Sequence, residues 1–235
     1  MTFEEVMNKL ESLATDQMRK IYDAHGVRQP FWGVPTTAMR PLARKIKRDQ
    51  LLAEQLYATD NYDAMYFAGM IVDPTVMTQD DFERWMDKAY FYMLADWVVA
   101  VSLAETSFAQ ELADRWIESG EELRMSAGWS CYQWLIGNRS DSEFDTNKLR
   151  TMLHRATSTI HSQPNRTRYS MNGFVIAVGI HYLPLHNEAL ESAEKIGKVT
   201  VLGEKNKCSV QIATQSIKKA AEQNRLGFKR KGVRC

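Results

Sequence analysis

Apolar residues recur three and four positions apart along most of the chain, which is the spacing of one face of an α-helix. The first such stripe covers residues 3–21 and consists of Phe3, Val6, Met7, Leu10, Leu13, Ala14, Met18 and Ile21. Thr2, with Glu5 three residues later, predicts a capping box at its start. Similar stripes predict helices at 37–58, 61–71, 79–93, 97–104, 106–118, 122–136, 146–161, 165–181, 185–196 and 212–224. Only residues 198–210 show the alternation of apolar and polar residues that is typical of a hairpin. The fold class is therefore predicted to be all-α.

Two of these stripes share a short pattern. "ERWMD" at 83–87 and "DRWIE" at 114–118 are 31 residues apart, and each is followed after 12 or 13 residues by a second tryptophan, Trp97 or Trp129. A helical hairpin that repeats at this length is typical of an α-solenoid of stacked antiparallel helical pairs, although two amphipathic helices can also match by chance. We expect Trp85, Trp116 and Trp134 to lie in the core with their indole N–H groups paired.

Charge is segregated along the chain although the formal net charge is only +1. Residues 60–122 carry 14 acidic against three basic residues, a block of −11. Residues 195–235 form a block of +9 and residues 19–48 a block of +7. If the basic blocks meet in the fold they give a surface suited to phosphates; the alternative is that they are solvated faces.

The remaining composition excludes several classes of protein. At 235 residues, with 44% hydrophobic residues, the chain can bury a sizeable core, and we expect one domain over 1–235 with a basic tail at about 225–235. No signal peptide or membrane span is recognisable, so a cytoplasmic location is the default. Cys131, Cys208 and Cys235 stand far apart, and no nucleotide-binding motif is present, so we expect no metal and no cofactor.

Asp96 is the only charge in the apolar stretch "AYFYMLADWVVAVSLA", residues 89–104. One interpretation is that it is the N-cap of a helix beginning at Trp97. The other is that this carboxylate and the neighbouring indole hold an electron-poor base and stabilise positive charge on a sugar. The two interpretations are compatible.

Two further stretches are candidates for DNA contacts. "PNRTRYSMN" at 164–172 places Arg166, Arg168 and Tyr169 in the first turns of a helix, where phosphate and sugar groups are commonly bound; solvation is the alternative. The terminal "GFKRKGVRC" carries Lys229, Arg230, Lys231 and Arg234, which predict a phosphate-binding arm that does not read bases. Alternatively, Phe228 and these cations dock the terminus onto the acidic 60–122 block.

The segments "DWVVAV", "MSAGWSCYQWLIGN" and "RTRYSMNGFVIAVG" resemble the DNA alkylation repair enzyme family, and the resemblance covers roughly residues 35–225. It implies a C-shaped HEAT-like α-solenoid whose basic concave face holds alkylated duplex DNA. In active members it further implies an N-glycosylase that removes N3- or N7-alkylated purines.

The family's active members open the middle helix with a Trp-Trp-Asp-x-x-Asp run. Aligned on it, Asp96 takes the first aspartate and Trp97 stands in for a tryptophan, which makes this pair the catalytic candidates. Val99 takes the place of the catalytic aspartate and Ala127 that of an arginine. Phe174 takes the place of a further tryptophan, and with Trp129 it is a candidate for contact with DNA.

Two functions therefore remain open from the sequence. The first is a DNA-binding protein of the alkylation repair type, with or without glycosylase activity. The second is a non-catalytic solenoid that binds a protein partner through the acidic block.

Overall fold

The computed structural model describes residues 1–201 and 210–232, and these residues form two compact units. All secondary structure in the described residues is helical, so the predicted fold class is confirmed. Most of the predicted hairpin at 198–210 lies outside the described residues. The single domain over 1–235 stays a prediction. None of the described helices is long and apolar enough to cross a membrane.

The N-terminal unit, residues 1–102, is built from short helices that are closed by side-chain caps. Thr2 and Glu5 form the predicted capping box. The helices are α1 (Phe3–Ser12), α2 (Asp16–His25), α3 (Thr36–Ile46), α4 (Gln50–Tyr57), α5 (Tyr62–Ile71), α6 (Gln79–Lys88), α7 (Tyr92–Leu94), a π-helical turn (Ala95–Val99) and α8 (Ala100–Leu103), which ends at the boundary of the unit.

Three predicted helices are each interrupted, so their predicted boundaries at 3–21, 37–58 and 79–93 are wrong. The backbone N–H of Thr15 donates to the Gly33 carbonyl, and the Thr15 side chain caps the start of α2. Lys47 adopts a left-handed backbone with φ of 66°, and Asp49 then caps α4. The third helix ends at Lys88, and the chain restarts as a helix at Tyr92 after Phe91 packs edge-on against Tyr62. In each case the apolar spacing continues across the break, and a tertiary contact or a left-handed residue ends the helix.

Asp63 is a buried carboxylate that holds a loop of the N-terminal unit. Its oxygens accept from the backbone N–H groups of Trp32, Gly33 and Val34 at 2.6, 3.0 and 2.8 Å. Burial raises the pKa of this carboxyl, while these bonds partly offset the rise. One side chain therefore satisfies three backbone N–H groups of a loop that has no regular secondary structure to pair them.

The C-terminal unit, residues 103–201 and 210–232, contains two layers of helices. Its helices are α9 (Ala109–Ile117), α10 (Glu122–Asn138), α11 (Thr146–Thr159), α12 (Asn165–His181), α13 (His186–Ile196) and α14 (Ala213–Glu222). In the first layer, α9, α11 and α13 are joined by ion pairs such as Arg150–Glu188 at 2.8 Å. In the second, α10, α12 and α14 pack closely where glycines leave room: a Cβ on Gly179 of α12 would lie 2.5 Å from Ile217.

The tryptophan inside each of the two matching segments, "ERWMD" and "DRWIE", lies in the core. Trp85 on α6 and Trp116 on α9 are both fully buried, as predicted. The indole N–H of Trp85 donates to Glu54, and its ring stacks on Tyr57 with centroids 4.0 Å apart. Trp134 is only half-buried, so the prediction that it is a core residue is wrong. Its ring instead lies 5.5 Å from the guanidinium of Arg230.

Candidate nucleic-acid interface

A row of exposed cations lies along α3 in the N-terminal unit. Arg40 and Arg44 are four residues apart, a spacing that places them on one side of α3, Lys45 lies beside them, and Lys47 directly follows the last residue of the helix. These four side chains form neither a hydrogen bond nor an ion pair with the residues described at 1–201 and 210–232. We call Arg40, Arg44 and Lys47 the α3 row.

Helix α5, which carries Tyr66, packs against α3. Burial raises the pKa of the Tyr66 hydroxyl, and the positive charge of Arg40 partly offsets that rise. Since α5 contacts both α3 and the π-helical turn, it connects the α3 row to the segment that carries Asp96 and Trp97. The contact is close, because a Cβ on Gly69 of α5 would lie 2.7 Å from Val98.

Cations elsewhere are largely matched by carboxylates on neighbouring helices. In the N-terminal unit Arg84 pairs with Glu54 at 2.8 Å and Lys88 with Asp60 at 3.1 Å. In the C-terminal unit the pairs that join neighbouring helices include Lys148–Asp114, Arg155–Glu118 and Lys218–Glu194. Much of the acidic block at 60–122 is therefore already engaged within the protein, in contrast to the α3 row.

Asp96 and Trp97 lie within the π-helical turn, and their side chains have different environments. Asp96 is 4% exposed and Trp97 is 45% exposed. The helical backbone already begins at Tyr92 and is right-handed at Leu94 and Ala95. The interpretation of Asp96 as the N-cap of a helix beginning at Trp97 is therefore wrong, because an N-cap residue needs an extended backbone outside the helix.

The two positions aligned with the family's catalytic aspartate and arginine are apolar and buried here. Val99 belongs to the core of the N-terminal unit, and Ala127 to that of the C-terminal unit. Neither can supply a carboxylate or a guanidinium.

Trp129 and Phe174 pack against each other inside the C-terminal unit. Their ring centroids are 5.0 Å apart at 65°, and both side chains are buried. Trp129 is 1% and Phe174 0% exposed, which leaves almost no ring surface open to DNA here, and their contact with DNA stays a prediction. Aromatic residues at helical spacing are more often core than ligand platform, as here.

The first turns of α12 are partly occupied by the protein itself. The predicted helix at 165–181 is confirmed, but the backbone N–H of Arg166 donates to the Glu122 carboxylate at 2.8 Å, which removes one donor from a phosphate site. Arg168 donates to Asn165 at 3.0 Å, and its Nε is buried with no hydrogen-bond partner among the described residues. Tyr169 is 41% exposed. Their contact with DNA stays a prediction.

The C-terminal segment is docked on the C-terminal unit as far as Arg230. Lys229 donates to the Ile136 carbonyl at 2.8 Å and pairs with Asp141 at 2.7 Å. The backbone N–H of Arg230 donates to Gly137 at 2.8 Å. The prediction of a free arm is therefore wrong for Lys229, because its charge caps the end of α10. Lys231 is exposed and Arg234 lies outside the described residues.

Sequence reasoning found the basic block at 19–48 but missed the α3 row within it. The signal was present, since Arg40, Arg44 and Lys47 follow the same spacing that identifies an apolar stripe. Asp63 was also missed, because an acid inside "YDAMYF" gives no sign of the loop that it binds.

The helices stack as pairs in two layers, and ion pairs join one helical pair to the next. This arrangement defines a helical-repeat protein of the HEAT type, as predicted. The chain belongs to the DNA alkylation repair enzyme family, whose family model matches residues 6–220.

Similar proteins cover the chain almost completely. An uncharacterized protein of Listeria innocua is 32% identical over 225 residues, 93% of this chain and 97% of its own length. One of Listeria monocytogenes is 30% identical over 229 residues, 95% of this chain and 99% of its own. A solved structure with 54% identity and a TM-score of 0.93 covers both chains completely. It is described as a new family of proteins related to the HEAT-like repeat DNA glycosylases with affinity for branched DNA structures.

Proposed function

We propose that this protein binds DNA and prefers branched DNA to a continuous duplex. The observation that carries the proposal is the α3 row, whose three cations have no partner among the described residues. Phosphates attract such cations, and the cations release counterions condensed on the DNA, which is the main source of affinity in sequence-independent binding. The affinity for branched DNA of the protein with 54% identity supports this preference.

The dimensions of the α3 row suit the backbone of one DNA strand. From Arg40 to the end of α3 at Ile46 the helix rises by about 9 Å, and Lys47 follows directly, so the row has the length of roughly three nucleotides along one strand. Arginine and lysine are among the side chains that hold DNA phosphates, so the row suits contacts to the backbone. Arg166, Arg168, Tyr169, Arg230 and Lys231 are proposed as secondary contacts.

The test is a comparison of affinities for a four-way junction and a duplex of equal length. The variant Arg40→Gln/Arg44→Gln/Lys47→Gln should lose most of its affinity for both. The control Arg84→Gln/Arg115→Gln/Lys218→Gln removes the same charge from cations that are paired with carboxylates. It should bind the junction nearly as the unaltered protein does. Equal losses of junction affinity in the two variants would contradict the proposal that the α3 row binds DNA.

A second candidate function is N-glycosylase activity on N3- or N7-alkylated purines. One observation favours it: a buried carboxylate, Asp96, next to an exposed indole, Trp97, within a π-helical turn, a feature frequent at functional sites. Because Val99 and Ala127 supply no second carboxylate and no guanidinium, we expect no release of free 3-methyladenine or 7-methylguanine from methylated duplex DNA. Release that falls about 10²-fold in Asp96→Asn would establish this second function instead.

Binding of a protein partner through the acidic block is less well supported. A basic partner would have to displace ion pairs such as Arg84–Asp81 and Lys88–Asp60. Each ion pair formed with the partner would replace one within the protein. Because exposed ion pairs contribute only about 0–1 kcal/mol each, this exchange would add little to the binding free energy.

A further inference from the structure

Trp97 is an exposed aromatic residue in an otherwise buried helical stretch. Residues 94–104 of the chain are all buried except Trp97, whose side chain is 45% exposed. A helix that is buried on every side normally carries no large side chain toward water. An indole at this position therefore presents a large apolar surface that a partner can cover.

The surroundings of Trp97 indicate the chemistry of that partner. The π-helical turn packs on α5 through Val98 and Gly69, and α5 in turn packs on α3, the helix that carries Arg40 and Arg44. An aromatic face near a row of cations is the combination that holds single-stranded or unstacked nucleotides: the cations bind the backbone and the ring stacks on a base.

We propose that Trp97 is a stacking platform for an exposed base face, either an unpaired base or the end of a base-pair stack at a branch point. A continuous duplex offers no such face, because each of its base pairs is covered by its neighbours. The inference rests on the proposed function, and it assigns the preference for branched DNA to one side chain. The α3 row then supplies affinity that is common to all DNA.

The experiment uses three variants of Trp97 and two DNA ligands. Trp97→Ala removes the side chain, Trp97→Leu keeps an apolar side chain without a ring, and Trp97→Phe keeps an aromatic face. The ligands are a four-way junction and a covalently closed circular duplex, which has no end to stack upon. Val76→Ala, at a similarly exposed apolar side chain in the same unit, is the matched control.

Trp97→Ala and Trp97→Leu should bind the junction about 5- to 150-fold more weakly than the unaltered protein, the range expected for one base–aromatic stack. Trp97→Phe should retain most of the affinity, and affinity for the circular duplex should not change. An unpaired 2-aminopurine at the branch point should lose fluorescence on binding the unaltered protein and keep it with Trp97→Leu.

Junction binding by Trp97→Leu at the unaltered affinity would overturn the inference, as would equal losses for the junction and the circular duplex. If those results appear while neutralisation of the α3 row still abolishes binding, the proposed function stands without the stacking platform. If the unaltered protein binds neither ligand, the proposed function itself fails. Thermal unfolding of each variant shows whether it is folded, which is expected for an exposed position.

Discussion

Asp63 illustrates how one side chain can hold a segment of backbone in this protein. It is buried and accepts three backbone N–H groups from Trp32, Gly33 and Val34. Asp63→Ala would leave three buried donors without a partner, and each such donor costs about 1–3 kcal/mol. We expect a loss of roughly 3–5 kcal/mol in the free energy of unfolding, measured by urea denaturation. Asp23→Ala, at an exposed acid without these bonds, should change it by less than about 0.5 kcal/mol.

His181 should make stability dependent on pH through its contact with the C-terminal segment. Its Nδ1 lies 2.6 Å from the Phe228 carbonyl. Burial lowers the pKa of the imidazole below 6.5, the bond to Phe228 raises it, and the charges of Arg230 and Lys229 lower it further. With a folded-state pKa below that of the unfolded chain, the stabilisation is fully present above about pH 6.5. It is lost as the pH falls through the folded-state value.

The measurement is the free energy of unfolding of His181→Gln between pH 7.5 and pH 5. The unaltered protein should lose stability on acidification more steeply than this variant does. His154→Gln, at an exposed histidine, should follow the unaltered protein. Parallel curves for all three proteins would show that His181 does not titrate differently in the folded state.

At the scale of elements, the helices of the C-terminal unit were the most predictable. Predicted helices at 122–136, 146–161 and 165–181 correspond to α10, α11 and α12 within two residues. α11 combines an Asp145 cap with an apolar stripe, whereas α10 and α12 are long helices that are buried on most sides, so their continuous apolar content marks them instead. In the N-terminal unit the stripes continue across breaks at residues 13–15, 47–49 and 89–91, where loop contacts and a left-handed residue decide the boundary.

Close packing between α9 and α10 should make Gly128 intolerant of a side chain. A Cβ there would lie 2.7 Å from the Ala113 carbonyl oxygen, and backbone cannot move aside cheaply. Gly128→Ala should lower stability by about 1–3 kcal/mol. Gly137→Ala on the same helix meets its nearest atom at 3.8 Å and should be neutral or slightly stabilising. Equal thermal stabilities of the two variants would contradict this account of the packing.

The docked C-terminal segment should contribute to stability through Lys229 and not through Lys231. Lys229→Met removes the bond to the Ile136 carbonyl and the ion pair with Asp141, and should cost about 1–2 kcal/mol. Lys231→Met makes the same substitution at an exposed position and should leave thermal stability unchanged. A larger loss of junction affinity in Lys229→Met than in Lys231→Met, with no loss of stability, would restore the interpretation of a free arm.

At the scale of the whole molecule, the charge blocks of the sequence overestimate how many cations lack a carboxylate partner. The sequence shows how many cations a block contains, but not which are matched by carboxylates about 30 residues away, as Arg84 is by Glu54. Pairing of this kind depends on the stacking of helices. It distinguishes the α3 row from the cations on α6, α9 and α11, which the sequence alone treats alike.

The most direct test of the central claim is the salt dependence of binding to a four-way junction. Each phosphate neutralised contributes about 0.9 to the slope of log K against log salt concentration. The unaltered protein and the variant Arg40→Gln/Arg44→Gln/Lys47→Gln are titrated over the same salt range, beside the paired-cation control. The account predicts that the slope flattens by about two to three units in the α3-row variant and by less than one in the control. Identical slopes for the α3-row variant and the unaltered protein would contradict it.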